Sequence, residues 1–539
     1  EKGWKVVDAK TLVRESYEEP LLLKNLIECI KKINSQKGIE LRDVDIKQVL
    51  NELKLRATGI EGQKQILSFF KRGISVKLEK SKDLVRVHLF DYENLENNEF
   101  ILSRQVVYQS ANDEKRADIM LYVNGIPLTI IECKSPADFS VSWKDAYNQI
   151  KEYERVIPEL FKYVQLGIAA EQIAKYFPIV TWQESKVYEW KEDKLEKGKD
   201  ISLSSIVDML APAMLLDLIK NYLFFREEGK QKTKVIARYM QYRAVEKVVD
   251  RVRKNLEGVE KKNRGLIWHW QGSGKTLTMI FSANKLYPIK ELANPTIFFI
   301  LDRTELEEQF YNEFNGLDLG VKVEKIDSIH KLKEVLMHDE GKGKRGLFTV
   351  LVHKFRENEL KEADRILREL SNGNQTISNR KNIIAFIDEG HRTQYGLLAA
   401  QMKAILKNAF FFAFTGTPIV KKEKNTYEEF SYLPEEPYLD KYFITDSIND
   451  GFTVRIAYQP TLEKSVELKK EMLRTFLDIE FDEIPAQDKE KIQDEIKDKI
   501  NLMKAYLENP ERIKKIAKNI AEHFRENLDG KFKAMIVAV

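Results

Sequence analysis

Three short stretches carry residue types and spacings that could do chemistry. In Trp268-His269-Trp270-Gln271-Gly272-Ser273-Gly274-Lys275-Thr276, a glycine loop lies between the apolar Gly265-Leu266-Ile267 and the apolar run Leu277 to Phe281. A loop so placed between strand and helix leaves backbone N–H groups at the positive end of a helix dipole, where they can bind phosphate. Lys275 would reach the terminal phosphates and the Thr276 hydroxyl a Mg²⁺ ion. The match is partial, because His269 stands where the full phosphate-loop pattern has glycine; the plain alternative is a Gly-Ser-Gly turn that precedes Lys-Thr.

The second stretch is a hairpin. Asp118 opens one predicted strand, Asn124-Gly125 is a turn signal, and Glu132-Cys133-Lys134 closes the next. Side chains alternate along a strand, so Glu132 and Lys134 share a face. If residues 124–126 form a three-residue loop, Asp118 falls opposite Glu132 on that face; a two-residue loop would separate them. Two carboxylates and a lysine on an apolar hairpin are costly unless paired or bound to a cation. Such oxygen ligands suit Mg²⁺, which can polarise a phosphodiester and acidify bound water, with Lys134 stabilising charge on the phosphate or positioning the water. The alternative is a surface salt bridge on a solvated sheet face.

In the third, the apolar run Ile383 to Ile387 delivers Asp388-Glu389-Gly390-His391 at its end, where open α/β sheets bind ligands. Asp388 can hold a nucleotide's Mg²⁺ through water, and Glu389 can orient and activate the hydrolytic water. Another apolar run, Ala409 to Phe414, ends in Thr415-Gly416-Thr417-Pro418, a polar turn predicted on the same sheet edge.

These stretches need two α/β domains to position them. Leu21 to Asn34 and Val44 to Leu55 have helical spacing. Ile74 to Leu78, Leu84 to Phe90, Phe100 to Gln109, Ala117 to Val123, Pro127 to Lys134, Tyr163 to Ala169 and Ile179 to Trp182 read as strands, with a helix from Ser142 to Ile157. That predicts a mixed sheet flanked by helices over residues 1–205. Residues 206–234 read as a helical linker, a helix from Ile206 to Phe225 followed by the polar Arg226 to Lys234. Over 235–450, short apolar strands alternate with helices, the signature of a parallel sheet. Residues 451–539 begin a further α/β domain, with a strand at Thr453 to Tyr458, charged helices, and a closing strand at Lys533 to Val539. The basic run Lys504 to Lys518 reads as a solvated helix face.

A chain of 539 residues is too long for one core and predicts three or four domains. Its net charge of +4 is small for this size, so any nucleic-acid surface must be a local stripe. Two cysteines, Cys29 and Cys133, exclude a disulfide framework or zinc cluster and favour a reducing cytoplasm. The longest apolar runs fall far short of the ~20 residues a membrane helix needs, so no membrane partner is expected. The first residues lack a signal-peptide core and an initiator Met, which reads as a start inside a longer protein.

The hairpin resembles the PD-(D/E)xK nucleases of the RecB-like group, whose motif would fall on Asp118, Glu132 and Lys134, and whose Q-x-x-x-Y accessory motif would fall on Gln149 and Tyr153. Ala117 departs from the usual Pro, and the acidic residue that members often add from an earlier helix has no assignable position. The order of the other stretches resembles superfamily 2 helicases and translocases. Gly272, Ser273, Gly274, Lys275 and Thr276 would be motif I, and Asp388 to His391 motif II. Thr415, Gly416 and Thr417 would be the coupling motif III, and Gln241 the glutamine that reads adenine; its alternative is an exposed helix residue. Leu301-Asp302-Arg303 and Thr349 to Phe355 occupy the places of DNA-contacting segments.

Together they resemble the restriction (R) subunit of type I restriction-modification enzymes, along nearly the whole chain. The resemblance implies a RecA-like motor domain after the nuclease domain and the start of a second. It also implies ATP and Mg²⁺ as cofactors, with the metal held by Asp118 and Glu132 and by Thr276 and Asp388. Double-stranded DNA and the methylation and specificity subunits would be partners. The family's second motor domain would mostly follow Val539, so residues 1–539 alone are expected to bind ATP weakly and not to translocate. The alternatives are a repair-type nuclease-helicase unconnected with methylation, and a DNA-binding module with an ATP switch.

Overall fold

The computed structural model describes residues 2–111, 113–191, 201–229, 231–301, 304–351, 379–388, 402–403, 406–418, 420–421, 424–455 and 510–527. The chain divides into two compact units, Glu1–Val454 and Arg455–Val539. In the second, Pro510–Asn527 is a helix with Pro at its first position, where the missing N–H costs nothing. The strand expected at Lys533 to Val539 lies outside the described residues, and that at Thr453 to Tyr458 is described only as far as Arg455, where no strand is formed.

The first unit opens with a six-stranded sheet in which β1 (Lys5–Asp8), β2 (Phe100–Ser110), β3 (Asp113–Val123), β4 (Ile126–Cys133), β5 (Leu166–Ala170) and β6 (Ala174–Pro178) lie side by side in that order. β1 is parallel to β2 and β4 to β5, and the other neighbours are antiparallel, so the sheet is mixed as predicted. Its two faces feed two cores. Met120, Tyr122 and Ile130 share one with Ala146, Ile150 and Tyr153 of helix Trp143–Val156. Leu121, Val123, Leu128 and Ile168 share the other with helices Leu23–Ser35, Asp43–Lys54 and Ile60–Arg72. Helix Trp143–Val156 starts at a capping box, where the Ser142 N–H donates to Asp145 Oδ2 at 2.7 Å. It stops before Pro158, since the residue preceding a proline is pushed out of helical geometry. The strand expected at Ile179 to Trp182 is found earlier, as β6, because the chain turns back tightly after Ala170 to pair with β5.

Residues 206–234 differ from the helical linker expected of them. Helices Ile201–Met209 and Pro212–Asp217 and the π-helical turn Leu218–Tyr222 lead into an antiparallel hairpin, Leu223–Glu228 with Gln231–Ile236. Pro212 interrupts the helix, and Leu223, Phe224 and Phe225 are buried in a core that continues into the following domain. The charges of the supposed linker decorate the hairpin: Glu227 pairs with Lys64 at 2.7 Å. Among the described residues no single helix is long and apolar enough to cross a membrane.

The next sheet has seven strands, all parallel: β7 (Arg264–His269), β8 (Thr296–Leu301), β9 (Val323–Ile326), β10 (Gly346–Leu351), β11 (Ile383–Asp388), β12 (Phe410–Thr415) and β13 (Asp440–Tyr442). Their spatial order is β9-β10-β8-β11-β12-β7-β13. Every residue of β8, β11 and β12 is buried. Alternate residues enter opposite cores, Phe299 and Phe386 on one side, Phe298 and Ala385 on the other, which is why these strands read as unbroken apolar runs. The edge strands β9 and β13 were not legible as strands.

Candidate nuclease and nucleotide sites

The hairpin turn is a two-residue loop, with Asn124 at φ 51° and Gly125 at φ 77° and Val123 paired with Ile126. Such a loop alone would offset Asp118 from Glu132. The register shifts between Leu121 and Tyr122, however, so that Ile119 faces Ile131 and Asp118 comes level with Glu132. A β-bulge thus achieves what the sequence reading assigned to a three-residue loop. The Asp118 N–H donates to Glu132 Oε1 at 3.2 Å, and the Cys133 N–H donates to Asp118 Oδ2 at 2.9 Å.

Glu132 is fully buried. Burial first, and the neighbouring Asp118 charge second, push its carboxyl up to about 8. Its Oε2 is buried with no hydrogen-bond partner. An orphaned carboxylate oxygen beside a second carboxylate fits a cation and does not fit a solvated salt bridge. The Lys134 ammonium donates to Gln149 Oε1, Gln149 Nε2 donates to the Tyr153 hydroxyl at 2.5 Å, and that hydroxyl donates to Arg116 O at 3.1 Å. Asp118, Glu132, Lys134, Gln149 and Tyr153 therefore gather at one place, and Asp118, Gln149 and Tyr153 line a cleft of about 560 Å³. Among the described residues no group of three or more His, Cys, Asp or Glu is poised to hold a metal, so the additional acid implied by the nuclease resemblance is not found there.

At the phosphate loop, Gly274 caps helix Lys275–Leu286 with φ 81°, ψ 41°, a left-handed conformation that favours glycine. A Cβ there would also lie 2.5 Å from Gln241 Nε2. The loop is braced from helix Tyr239–Leu256: Gln241 Nε2 donates to Gly274 O at 3.1 Å and Ser273 O at 3.3 Å, while its Oε1 accepts the Arg238 N–H at 2.9 Å. The Arg238 guanidinium donates to Ser273 O. Gln241 is thus buried and internally bonded, not the exposed helix residue that was its alternative. Ser273 Oγ is buried without a partner, while Lys275 and Thr276 are half-buried on the first helical turn.

Asp388 ends β11 and Thr415 ends β12; β12 lies between β11 and β7, the strand that delivers the loop, and all three are parallel, so these residues share the C-terminal sheet edge. The Trp268 indole N–H donates to Gly416 O at 3.1 Å, and the Thr417 N–H to Thr415 Oγ1 at 3.1 Å. Arg238, Gln241, Gly272, Leu277 and Phe452 line an adjoining cleft of about 640 Å³, which Tyr188 of the preceding domain also borders. Glu389, Gly390 and His391, together with Asp302, Arg303 and residues 352–355, lie outside the described residues.

Two residues that matter to these sites escaped the sequence reading. Asp440, on β13, lies against His269, Arg243 and Lys247 and carries no motif signal. Gln105, on β2, donates to Asp118 Oδ1 at 2.9 Å. Its one sequence trace is the polar run Ser103-Arg104-Gln105 set between the apolar residues 100–102 and 106–108 of the strand.

Residues 1–186 match the family described as type I restriction enzyme R protein N terminus, and residues 240–495 the family described as SWI2/SNF2 ATPase. Among curated relatives, the chain is 35% identical over 560 residues to a Methanocaldococcus jannaschii protein provisionally named type I restriction enzyme MjaVIIIP endonuclease subunit, covering 99% of this chain and 52% of the relative. A second protein of that organism, provisionally named the MjaVIIP endonuclease subunit, is 34% identical over 581 residues, covering 88% of this chain and 53% of the relative. The type I restriction enzyme HindI endonuclease subunit of Haemophilus influenzae is 29% identical over 546 residues, covering 96% and 48%. The chain therefore spans about half the length of the curated relatives it matches.

Proposed function

The chain belongs to the family of type I restriction enzyme endonuclease (R) subunits, and on that premise we propose that it is part of an ATP-driven machine that moves double-stranded DNA past itself and cuts it. The observation that carries the reading is the pairing, in one compact unit, of the Asp118-Glu132-Lys134-Gln149-Tyr153 cluster with a phosphate loop, Asp388 and Thr415 on one sheet edge.

In the cutting site Asp118 and Glu132 are the residues that would hold Mg²⁺, and the orphaned Glu132 Oε2 fits that part. Bound there, the ion would supply Lewis-acid activation of a phosphodiester and a more acidic water. Lys134, held by Gln149, brings a fixed positive charge to the phosphate as it becomes more negative, and Tyr153 fixes Gln149 from behind. In the motor the loop N–H groups of Gly272 to Thr276 cradle the phosphates of ATP and Lys275 neutralises them. The unpartnered Ser273 hydroxyl fits an anion at that loop. Thr276 and Asp388 would hold the nucleotide's Mg²⁺. Glu389 orients the attacking water and His391 senses the nucleotide from the same motif. Thr415, Gly416 and Thr417, bonded to β7 through Trp268, transmit the state of the loop to the DNA grip.

The partners in this reading are double-stranded DNA and the methylation and specificity subunits of the same system, working in the cytoplasm. The test is separability in the complete protein assembled with those subunits. Lys275→Ala abolishes ATPase, translocation and hence cleavage, whereas Glu132→Gln leaves ATPase intact and abolishes cutting. A Glu132→Gln protein that still cleaves DNA would sink the nuclease assignment.

A further inference from the structure

Gln105 stands in β2 directly across from Asp118, since Arg104 pairs with Ile119 and Val106 with Ala117. Its own pair is broken, for its backbone has φ 56°, a left-handed conformation inside a strand. No residue is inserted there, because the register is the same on both sides. What changes is the facing: Ile101 and Ser103 are buried before the kink, Val106 and Tyr108 after it, and Arg104 and Gln105 are both exposed between them.

A position needing only that backbone would favour Gly, Asn or Asp; Gln is not among the residues that adopt it readily. The strained backbone delivers the side chain to one partner, with Gln105 Nε2 donating to Asp118 Oδ1 at 2.9 Å. The other oxygen, Oδ2, accepts the Cys133 N–H at 2.9 Å from the opposite strand, β4. The Asp118 carboxylate is thereby pinned from both flanking strands, and each oxygen keeps further acceptor capacity. Kinks of this kind collect beside functional sites, where they aim a side chain.

We propose that Gln105 is a positioning residue that sets the orientation of the Asp118 carboxylate as a divalent-cation ligand; this rests on the nuclease reading of Asp118 and Glu132. Hydrogen-bond partners of metal-ligating carboxylates commonly govern affinity in this way. The proposal makes backbone and side chain separable. Gln105→Gly relieves the strained φ while deleting the amide, and Gln105→Asn tolerates the φ but is one methylene too short to reach Asp118.

The full-length protein, without nucleotide, is titrated with Mn²⁺ alone by calorimetry, and its melting temperature is measured alongside. Both variants should bind Mn²⁺ at least ~10-fold more weakly, with Gln105→Gly melting at or above the temperature of the unsubstituted protein. Wild-type Mn²⁺ affinity in Gln105→Gly would overturn the proposal. Weakened affinity accompanied by a lowered melting temperature in both variants would overturn it too, as the mark of a merely structural role. Asp118→Asn separates the two levels: if it keeps Mn²⁺ binding and cleavage, the nuclease reading itself fails. If it loses both while Gln105→Gly keeps both, only the positioning role fails.

Discussion

His269 Nε2 lies 2.7 Å from Asp440 Oδ2, and both side chains are fully buried. This pair explains the residue that made the phosphate-loop match partial. His269 is the last residue of β7, and its imidazole, held uncharged by burial, spans to the edge strand β13. The same carboxylate accepts from Arg243 Nε at 2.8 Å and Lys247 Nζ at 2.7 Å, both on the helix that carries Gln241. One buried acid thus ties the strand, the edge and the bracing helix of the loop together.

Asp440→Asn leaves those partly exposed cations without their counter-charge and should destabilise the protein by about 1.5–3 kcal/mol, the scale of hydrogen bonds to a charged group. The pH dependence carries the sign. Burial alone would raise the Asp440 carboxyl, but the His269 hydrogen bond and the Arg243 charge hold it below the ordinary carboxylate range. Its stabilisation is then present above the unfolded value near 3.9 and is lost as pH falls below it. Melting temperatures of wild type and Asp440→Asn should differ at pH 6 and converge as pH drops below about 4; a constant gap would contradict the assignment.

Gln241 makes a second prediction. Its amide oxygen and nitrogen are both bonded to the chain itself, so its first effect is to hold the carbonyls of Ser273 and Gly274. Gln241→Ala should raise KM for ATP and GTP alike by about 10-fold, equivalent to ~1.4 kcal/mol, in the complete protein. A loss confined to ATP would show instead that the amide reads adenine.

How much of this was legible varies with the physics of each segment. The strands β8, β11 and β12 and the helix at Trp143 stand out because burial on both faces, or a capping box, writes itself into local sequence. The residues that gather around Asp118 could each be singled out in the sequence, yet the alignment of Asp118 with Glu132 depends on a bulge at Leu121/Tyr122 that leaves no pattern. Residues 223–236 misled because a short charged hairpin has the composition of a linker; what makes it structure is the distant core that buries Phe224 and Phe225. Asp440 and Gln105 were invisible for a related reason. Each is a single polar residue whose partners, His269 and Asp118, are adjacent only in the folded sheet.

Tyr153 tests the support of the proposed cutting site. Its hydroxyl accepts from Gln149 and donates to Arg116 O, and Gln149 in turn receives the Lys134 ammonium. Tyr153→Phe keeps the ring in its core and removes only the link. Single-turnover cleavage by the complete assembly should fall about 10-fold, the scale of one lost charge-supporting hydrogen bond, while DNA-stimulated ATPase stays unchanged. A parallel drop in ATPase would place Tyr153 in the shared fold of the two domains and not in the nuclease site.

Lys234 offers a stability prediction at the seam between the domains. Its ammonium reaches Gln165 Oε1 at 2.6 Å and Ile179 O at 3.1 Å, and it is buried on the hairpin strand Gln231–Ile236. Burial holds its pKa down at about 7, with the Glu154 charge opposing only in part. The folded state therefore prefers the neutral amine, whereas the unfolded chain titrates near 10.4. The sign follows: the cost of burying this lysine is absent above pH 10.4, grows as pH falls towards 7, and levels off below that. Lys234→Met removes the titration and keeps most of the volume. It should melt higher than wild type at pH 7, by a margin that shrinks steadily on going to pH 10, and a margin that does not change with pH would show that the lysine is protonated in the fold throughout.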